Sequence, residues 1–407
     1  MESYGEDKGV LSRMKKRVLI LNGSISEIPL IEEAKKLGCY VITTGNAPEL
    51  PGHKYADEYV KEDYSNKEAI LALVKKHNID GIVSCANDFG AITAAYVCEK
   101  MGWNGHDTYE NTLLLHQKDR FKTYFYENHI PSPRSVIFEN EHDAIEYAKT
   151  AAYPVISKAV DLTGGKGIRR ADNYEEAKAA IRESFERSRK KHIVIEPFIE
   201  GHQESIDAFV IDHKVVQFVT NNCYMPINPY LIQTEILPSD YEEQVKDELC
   251  KIIEMICSKL DLVDGIFTLQ YIVQDEKPYV IELMRRNLGN QYLTLAEKQT
   301  GFPWFKAVVM SELGMDCSTL QATQERHKNV GHHGVMSKCN GIFKSMSIAP
   351  ELEKHIFQRI DMIQPGEEIS DYMNERISYL YYCFEDREEL LEMVEKMNDL
   401  IKVEVES

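Results

Sequence analysis

Three short segments carry side chains whose types and spacing suit chemistry on phosphate groups. In residues 154–167, PVISKAVDLTGGKG, Lys158 sits near the end of an apolar run and a loop with three glycines follows. The bare N–H groups of such a loop can close over phosphate oxygens, with the lysine beneath as a point charge. A Walker A loop needs G-x-x-x-x-G-K-[ST] opening a helix, and this segment has neither that spacing nor that context. Alone, it reads equally as a flexible hairpin with a surface lysine. In residues 196–207, EPFIEGHQESID, an acidic residue at a strand end precedes an apolar pair and a polar cluster. That order suits a hinge meeting an adenine edge with backbone groups and a ribose with side chains. In residues 267–286, FTLQYIVQDEKPYVIELMRR, Gln270 and Glu282 lie on two apolar runs joined by a tight turn. Antiparallel pairing would bring their oxygens together around a hard cation, although one such pair is weak evidence.

The elements that would position these groups follow from hydrophobic periodicity. From Arg17 an apolar run, a Gly-Ser turn, a helical stretch ending at Gly38 and the run YVITT read as strand, helix, strand. A further helix, from about 66 to 77, is expected to open on a capping box formed by Ser65 and Glu68 and to lead into the strand GIVSCA. The first 115 residues or so thus read as an α/β unit with a parallel sheet. Its turn at Asn22, Gly23 and Ser24 lacks a G-x-G-x-x-G fingerprint, so it is expected to shape a substrate edge or close the strand and not to hold a cofactor. Asn87, Asp88 and Phe89 either face a cleft or start the next helix.

Pro131 and Pro133 punctuate the passage into a second unit. There strands SVIF, VISKA, IRRA and HIVIEPFI alternate with two helices, and from 205 to about 290 alternating runs predict an antiparallel sheet with one helix packed on it. Cys250 and Cys257, seven apart on that helix, read as core residues. The last ninety residues are expected to form a small α+β appendage ending in a helix with Leu390, Val394, Met397 and Ile401 as its apolar stripe. The domains are therefore placed at 16–115, 116–310 (lobes at about 134–195 and 196–310) and 311–407.

Composition excludes other classes. Forty-seven Lys and Arg against sixty-six Asp and Glu leave a formal charge of −19, a field that repels nucleic acid and anionic lipid. Nine cysteines without a Cys-x-x-Cys pair fit free thiols, which makes a cytoplasmic location the expectation. No apolar run approaches the roughly 18 residues of a membrane span, the first seventeen residues lack the apolar core of a secretory signal, and the first dozen read as a polar lead-in. His332 and His333 lack the further ligands that a zinc site needs, and read as packing, strand-end or cleft-side residues. Trp103 and Trp304 read as core or hinge residues. No G-x-S-x-G elbow suggests a hydrolase.

Taken in order, Lys118, Lys158, the glycine loop, Glu196 to Gln203, Gln270, Glu282 and Arg286 resemble the ATP-grasp superfamily from about residue 17 to residue 290. The layout is most similar to its carboxylate–amine ligase branch, which includes biotin carboxylase and the carbamoyl phosphate synthase large chain. The resemblance implies an ATP-grasp fold, α/β and α+β, with a parallel-sheet α/β preface and a small C-terminal α+β domain. It implies that Lys118 and Lys158 contact the α- and β-phosphates of ATP, that Thr163, Gly164, Gly165 and Gly167 belong to a flap, and that Glu196, Phe198 and Ile199 meet the adenine. Gln203 or Glu204 would take the ribose; the position seven after Glu196 is usually acidic and is Gln203 here. Gln270 and Glu282 would hold magnesium, or manganese in its place. The family line E-x-N-x-R reads Glu282, Leu283, Met284, Arg285, Arg286 in this chain, so a thioether replaces an amide oxygen that magnesium prefers. Either a water or Asn287 fills that place, or one metal is held less tightly, or the site has lost chemistry.

The activity implied is ATP-dependent coupling of a small carboxylic acid to an amine, an amino acid or related compound, through an acyl phosphate. Lys158 and Arg286 would act in catalysis, and Arg285, Arg286 and Asn290 would anchor a substrate carboxylate. The alternatives are a purine-pathway or carbamoyl-phosphate-like ligase using formate or bicarbonate, and an ATP-binding protein without turnover. The partners implied are small molecules and, as in many relatives, a second copy of the chain.

Overall fold

The computed structural model describes residues 15–162, 167–323 and 326–406. The polar lead-in lies outside these residues. The first unit is the expected parallel sheet, with strands Glu58–Lys61, Tyr40–Gly45, Arg17–Leu21 and Gly81–Val83 side by side in that order. Its first strand is buried on both faces, which is why it reads as a continuous apolar run. Val18 and Ile20 pack with the helices Ile28–Lys36 and Trp304–Glu312, whereas Leu19 and Leu21 pack with the helices Lys67–Lys76 and Asp88–Met101.

The capping box lies elsewhere than expected. Asn66 caps the helix Lys67–Lys76 by accepting from Ala69 N–H, while Ser65 turns back to Asp63 and Glu68 accepts from the Tyr96 hydroxyl. A reciprocal box forms instead between Ser24 and Glu27, at the Gly-Ser turn after the first strand.

The second unit contributes a four-stranded antiparallel sheet ordered Val136–Phe138, Ile193–Pro197, Val155–Ala159 and Ile168–Ala171, backed by two helices. The expected appendage is joined to the body more closely than its sequence suggests. One eight-stranded antiparallel sheet runs Lys277–Met284, Gly265–Gln274, His202–Ile211, Lys214–Tyr224, Thr234–Leu237, Asn329–Val335, Ser378–Phe384 and Ile356–Asp361. Its last three strands come from beyond residue 311. A separate three-stranded sheet and the helix Arg387–Leu400 pack outside them, with Leu390, Val394 and Met397 buried. Ile401 is also buried but begins the final strand.

The large sheet is covered on both faces. The helices Lys118–Glu127 and Glu242–Leu260 cover one, with Cys257 fully buried and Cys250 half-buried. The preface unit and the helices Leu293–Thr300 and Trp304–Glu312 cover part of the other, with Trp304 fully buried at the junction and Trp103 half-buried at the edge of the preface. Among the described residues no helix is long and apolar enough to cross a membrane.

The turn after the first strand is packed as tightly as core. A Cβ added at Gly23 would lie 2.3 Å from the His53 ring, which is buried and held by Thr43 Oγ1 at 3.0 Å. Gly23→Ala is therefore expected to cost about 1–3 kcal/mol in urea unfolding. An unchanged midpoint would show that the turn gives way freely.

Candidate active site

A cleft of about 940 Å³ opens between the four-stranded lobe and the face of the large sheet, with Asp88 of the preface unit at its rim. Strand register sets the order of groups along its floor. Gln203, Ser205 and Asp207 share one face of a strand, since side chains alternate. Gln270 pairs with Ser205 on one side and with Glu282 on the other, and the next row holds Asp207, Thr268 and Met284. The floor therefore runs from Gln203 through the Gln270–Glu282 row to Asp207, about 13 Å along the strand. Arg286 follows Met284 at the cleft wall.

Lys118, Lys158 and Arg286 are each met by a carboxylate, whereas Arg376 at the margin donates to the carbonyls of Asn374 and Ile232. Lys118, at the start of its helix, donates to Glu282 Oε1 at 2.8 Å and to Leu162 O at 3.2 Å. Burial opposes its charge, but Glu282 holds its pKa above the usual lysine value. Lys158 pairs with Glu196, whose other oxygen lies 3.1 Å from Lys122 Nζ and accepts from Ser135 Oγ at 2.8 Å. Burial would raise the Glu196 pKa, but Lys122 and Lys158 bring it down to about 2. Arg286 donates from Nε to Asp88 Oδ1 at 2.6 Å, and His116 Nδ1 lies 3.2 Å from the same oxygen. Against burial, Arg286 and His116 hold Asp88 well below the usual carboxylate range.

Several expected site residues gather here: Lys118, Lys158, Glu196, Phe198, Ile199, Gln203, Gln270, Glu282, Arg286 and Asn290 all line the cleft. Their details differ from expectation at points. The Glu196 carboxylate is turned to the lysines, and Phe198 N–H is taken by Pro154 O at 3.0 Å. Gly167 has φ +69°, a left-handed value suited to glycine. Thr163, Gly164 and Gly165 lie outside the described residues.

Two expected residues are turned away. Glu204 is fully buried on the opposite face, bonded by Ser239, Tyr271 and Asn222, because a one-residue step along a strand reverses the side chain. The cleft position belongs to Gln203. Arg285 likewise points to the other side, donating to Asp107 at 3.0 and 3.2 Å and to the carbonyls of Ile266 and Val263. It ties the sheet to the preface unit and does not reach the cleft.

Met284 does line the cleft, and its sulfur accepts from Arg286 Nη2 at 3.2 Å. Asn287 does not replace the missing amide; its side chain is buried and donates to Ser26 O. What remains for a metal is the amide oxygen of Gln270 beside the carboxylate of Glu282. Those two fit one magnesium ion completed by phosphate and water oxygens. Among the described residues no group of three or more His, Cys, Asp or Glu is arranged to hold a metal, His332 and His333 included.

Some groups at or behind the cleft carry no readable signal in the sequence. Lys122 lies one turn after Lys118, a spacing that hints at a shared helix face. Asp207 accepts from Thr268 at 2.7 Å and from Ser205 at 3.3 Å, and burial pushes its pKa up to about 7. Glu235 accepts from Asn221 at 3.2 Å and lies 2.7 Å from His332 Nε2, so His332 supports a cleft-lining carboxylate. Glu27, fully buried, collects Ser24, Asn22 and the N–H of Ala86, joining the turn after the first strand to the turn that carries Asn87 and Asp88 to the cleft. Only the fold brings these together.

Residues 117–318 match the family described as carbamoyl-phosphate synthase L chain, ATP binding domain. The arrangement of the chain is similar to that of an L-amino acid ligase from Bacillus licheniformis, with a TM-score of 0.82, 17% identity and 97% and 99% of the two chains covered. The chain has the ATP-grasp fold. Another ATP-grasp structure of similar shape is the biotin carboxylase domain of Hydrogenobacter thermophilus 2-oxoglutarate carboxylase, in complex with MgADP, ADP and bicarbonate (TM-score 0.75, 20% identity, 96% and 91% covered). In sequence the chain is 25% identical over 319 residues to the carbamoyl phosphate synthase arginine-specific large chain of Bacillus subtilis. That alignment covers 74% of this chain and 30% of the relative, so the chain spans about a third of the relative's length.

The two residues turned away from the cleft can each be tested through stability. Arg285→Ala leaves Asp107 buried without its partner and is expected to cost about 3–5 kcal/mol, read by urea unfolding; a loss below about 1 kcal/mol would contradict the pairing. Burial raises the Glu204 pKa from 4.5 to about 7. The unfolded chain therefore releases that proton first, and Glu204 costs stability increasingly as pH rises through this window. Relative to wild type, Glu204→Gln should gain melting temperature between pH 5 and pH 8. A constant difference over that range would refute the assignment.

Proposed function

We propose that this chain is an ATP-dependent carboxylate–amine ligase that activates a small carboxylic acid as an acyl phosphate and couples it to an amine. The observation that carries the reading is the ladder on the cleft floor. Gln203, then Gln270 beside Glu282, and then Arg286 follow one another along the cleft, which Lys118 and Lys158 also line; this order supports a ribose contact, a hard-cation pair and an anion contact in sequence. A triphosphate laid along that line has its terminal group nearest Arg286.

The reading also draws on the relatives, which include an L-amino acid ligase and a carboxylase domain seen with MgADP. Lys118 and Lys158 would give up their carboxylates to phosphate oxygens, neutralising charge as the terminal group moves. Magnesium held by Gln270 and Glu282 would supply further neutralisation on those oxygens. Arg286, fixed by Asp88 and by the Met284 sulfur, would meet the transferred group or the tetrahedral intermediate that the amine forms. A carboxylate is a poor electrophile, and phosphorylation turns its oxygen into a leaving group that an amine can displace. Excluding water protects the mixed anhydride until then.

The cleft beyond the cation pair carries both signs: Asp207 and Glu235 on the sheet, Arg286 and Arg376 at its margin. Such a lining suits a zwitterion, which favours an amino acid as acid or amine substrate. The match to the carbamoyl-phosphate synthase family favours a second reading in which bicarbonate or formate is activated.

Release of ADP from ATP, screened against pools of amino acids, other small acids including bicarbonate and formate, and amines, tests the proposal. One acid–amine pair should stimulate release, and Lys158→Ala and Glu282→Ala should each lower the stimulated rate by roughly a hundredfold or more while remaining folded by circular dichroism. Nucleotide binding without stimulation by any pair would reduce the chain to a binding protein, and full turnover in either variant would refute the assigned roles.

A further inference from the structure

Lys122 is the one cation of this cluster that does not line the cleft. Its side chain is 3% exposed, and its ammonium sits 3.1 Å from Glu196 Oε2 and 3.1 Å from Ser132 Oγ. Glu196 is thus shared by two lysines from different elements, Lys122 behind it and Lys158 in front. We infer that Lys122 is a positioning residue for Lys158: by keeping the charge of Glu196 balanced, it lets Lys158 leave Glu196 for the phosphate groups of a nucleotide. The inference rests on the nucleotide reading above and adds a role that touches no ligand.

The argument is one of charge. Two lysines and one carboxylate leave an excess of one positive charge. Lys158 can then move to an anionic ligand, and the buried pair it leaves behind is neutral. If Lys122 were neutral, the same movement would strand a buried carboxylate beside a polyanion, a combination that the protein interior tolerates poorly. Charged groups reach Lys122 from every side: Lys118 one turn earlier on its own helix, Glu196 and Lys158 from two strands of the small lobe, and Glu282 from the large sheet. The ring of Phe121 lies 5.9 Å from its ammonium. Burial pushes the Lys122 pKa down to about 8, with Glu196 opposing that fall. The support given to Lys158 is therefore present at neutral pH and is lost as Lys122 releases its proton above about pH 8.

Affinities of the full chain for ADP and for adenosine, measured by calorimetry from pH 7 to pH 9, test the inference. Wild type is expected to lose about tenfold in ADP affinity across that range while adenosine, which has no phosphate, binds equally throughout. Lys122→Arg, which stays charged, should hold its ADP affinity at pH 9. Lys122→Met should bind ADP roughly tenfold more weakly than wild type at pH 7, show no further fall with pH, and leave adenosine unaffected. A merely structural role would move melting temperature and both ligands together. Should Lys122→Met fail to fold, the wild-type and Lys122→Arg profiles decide alone. ADP binding by wild type that is flat in pH, or a folded Lys122→Met with undiminished ADP affinity, overturns the role of Lys122 and leaves the nucleotide reading standing. A wild type that binds neither ADP nor ATP overturns both.

Discussion

A buried ammonium or guanidinium group persists only beside a carboxylate, and in this protein that requirement joins elements far apart in the chain. Lys118 meets Glu282, Lys122 and Lys158 meet Glu196, Arg286 meets Asp88, and Arg285 meets Asp107. The Arg286 and Arg285 pairs fasten the outer strand of the large sheet to the preface unit, and Lys122 fastens a covering helix to the small lobe. Removing one member of such a pair leaves an uncompensated charge, which costs more than the intact pair contributes. The cleft is therefore positioned by the same charges that would do its chemistry.

The thioether at Met284 fits this picture better than it fits a metal. An amide there would offer oxygen to a hard cation, whereas sulfur is a weak acceptor and a compact apolar neighbour. Here it lies against the Arg286 guanidinium and ends the row of Asp207 and Thr268. The cost is one metal ligand, and the gain is an arginine held on one side by Asp88 and on the other by a polarizable contact. One cation at Gln270 and Glu282 remains consistent with the donors present.

Much of the fold was legible because periodicity reports burial. The doubly buried first strand, the alternating strands of the large sheet and the amphipathic helices between them are all visible as patterns of apolar residues. The cleft was legible where a charged or polar residue interrupts an apolar run, as at Lys158, Gln270 and Glu282. Three kinds of error have physical causes. Glu204 and Arg285 stand one residue from a cleft position, and on a strand that single step selects the opposite face. Ser65 and Asn66 are both good caps, and the choice between them rests on Asp63 bonding Ser65. The attachment of the C-terminal strands through Thr234–Leu237 rests on pairing between residues a hundred apart, and no local pattern announces it. For the same reason Glu235, Arg376 and the Asp88–Arg286 pair appear only once the chain is folded.

A chain with a formal charge of −19 would have to admit a polyanion to a cleft whose two lysines are already paired. At physiological ionic strength the field of the distant surface acidic groups is screened within about 8 Å, so what a ligand meets is set by the groups lining the cleft. There Lys118, Lys158 and Arg286 are each held by a carboxylate, which lowers the attraction they offer to a ligand. In the proposed reading, binding would be an exchange of partners: phosphate oxygens would replace carboxylate oxygens, and each released carboxylate would need a substitute. Glu282 would have one in a metal ion arriving with the nucleotide. Asp88 keeps His116 if Arg286 turns to the substrate. Glu196 keeps Lys122. Each of these three carboxylates would thus have a second cation or proton donor available, a provision that would let the ion pairs of the cleft open for a triphosphate.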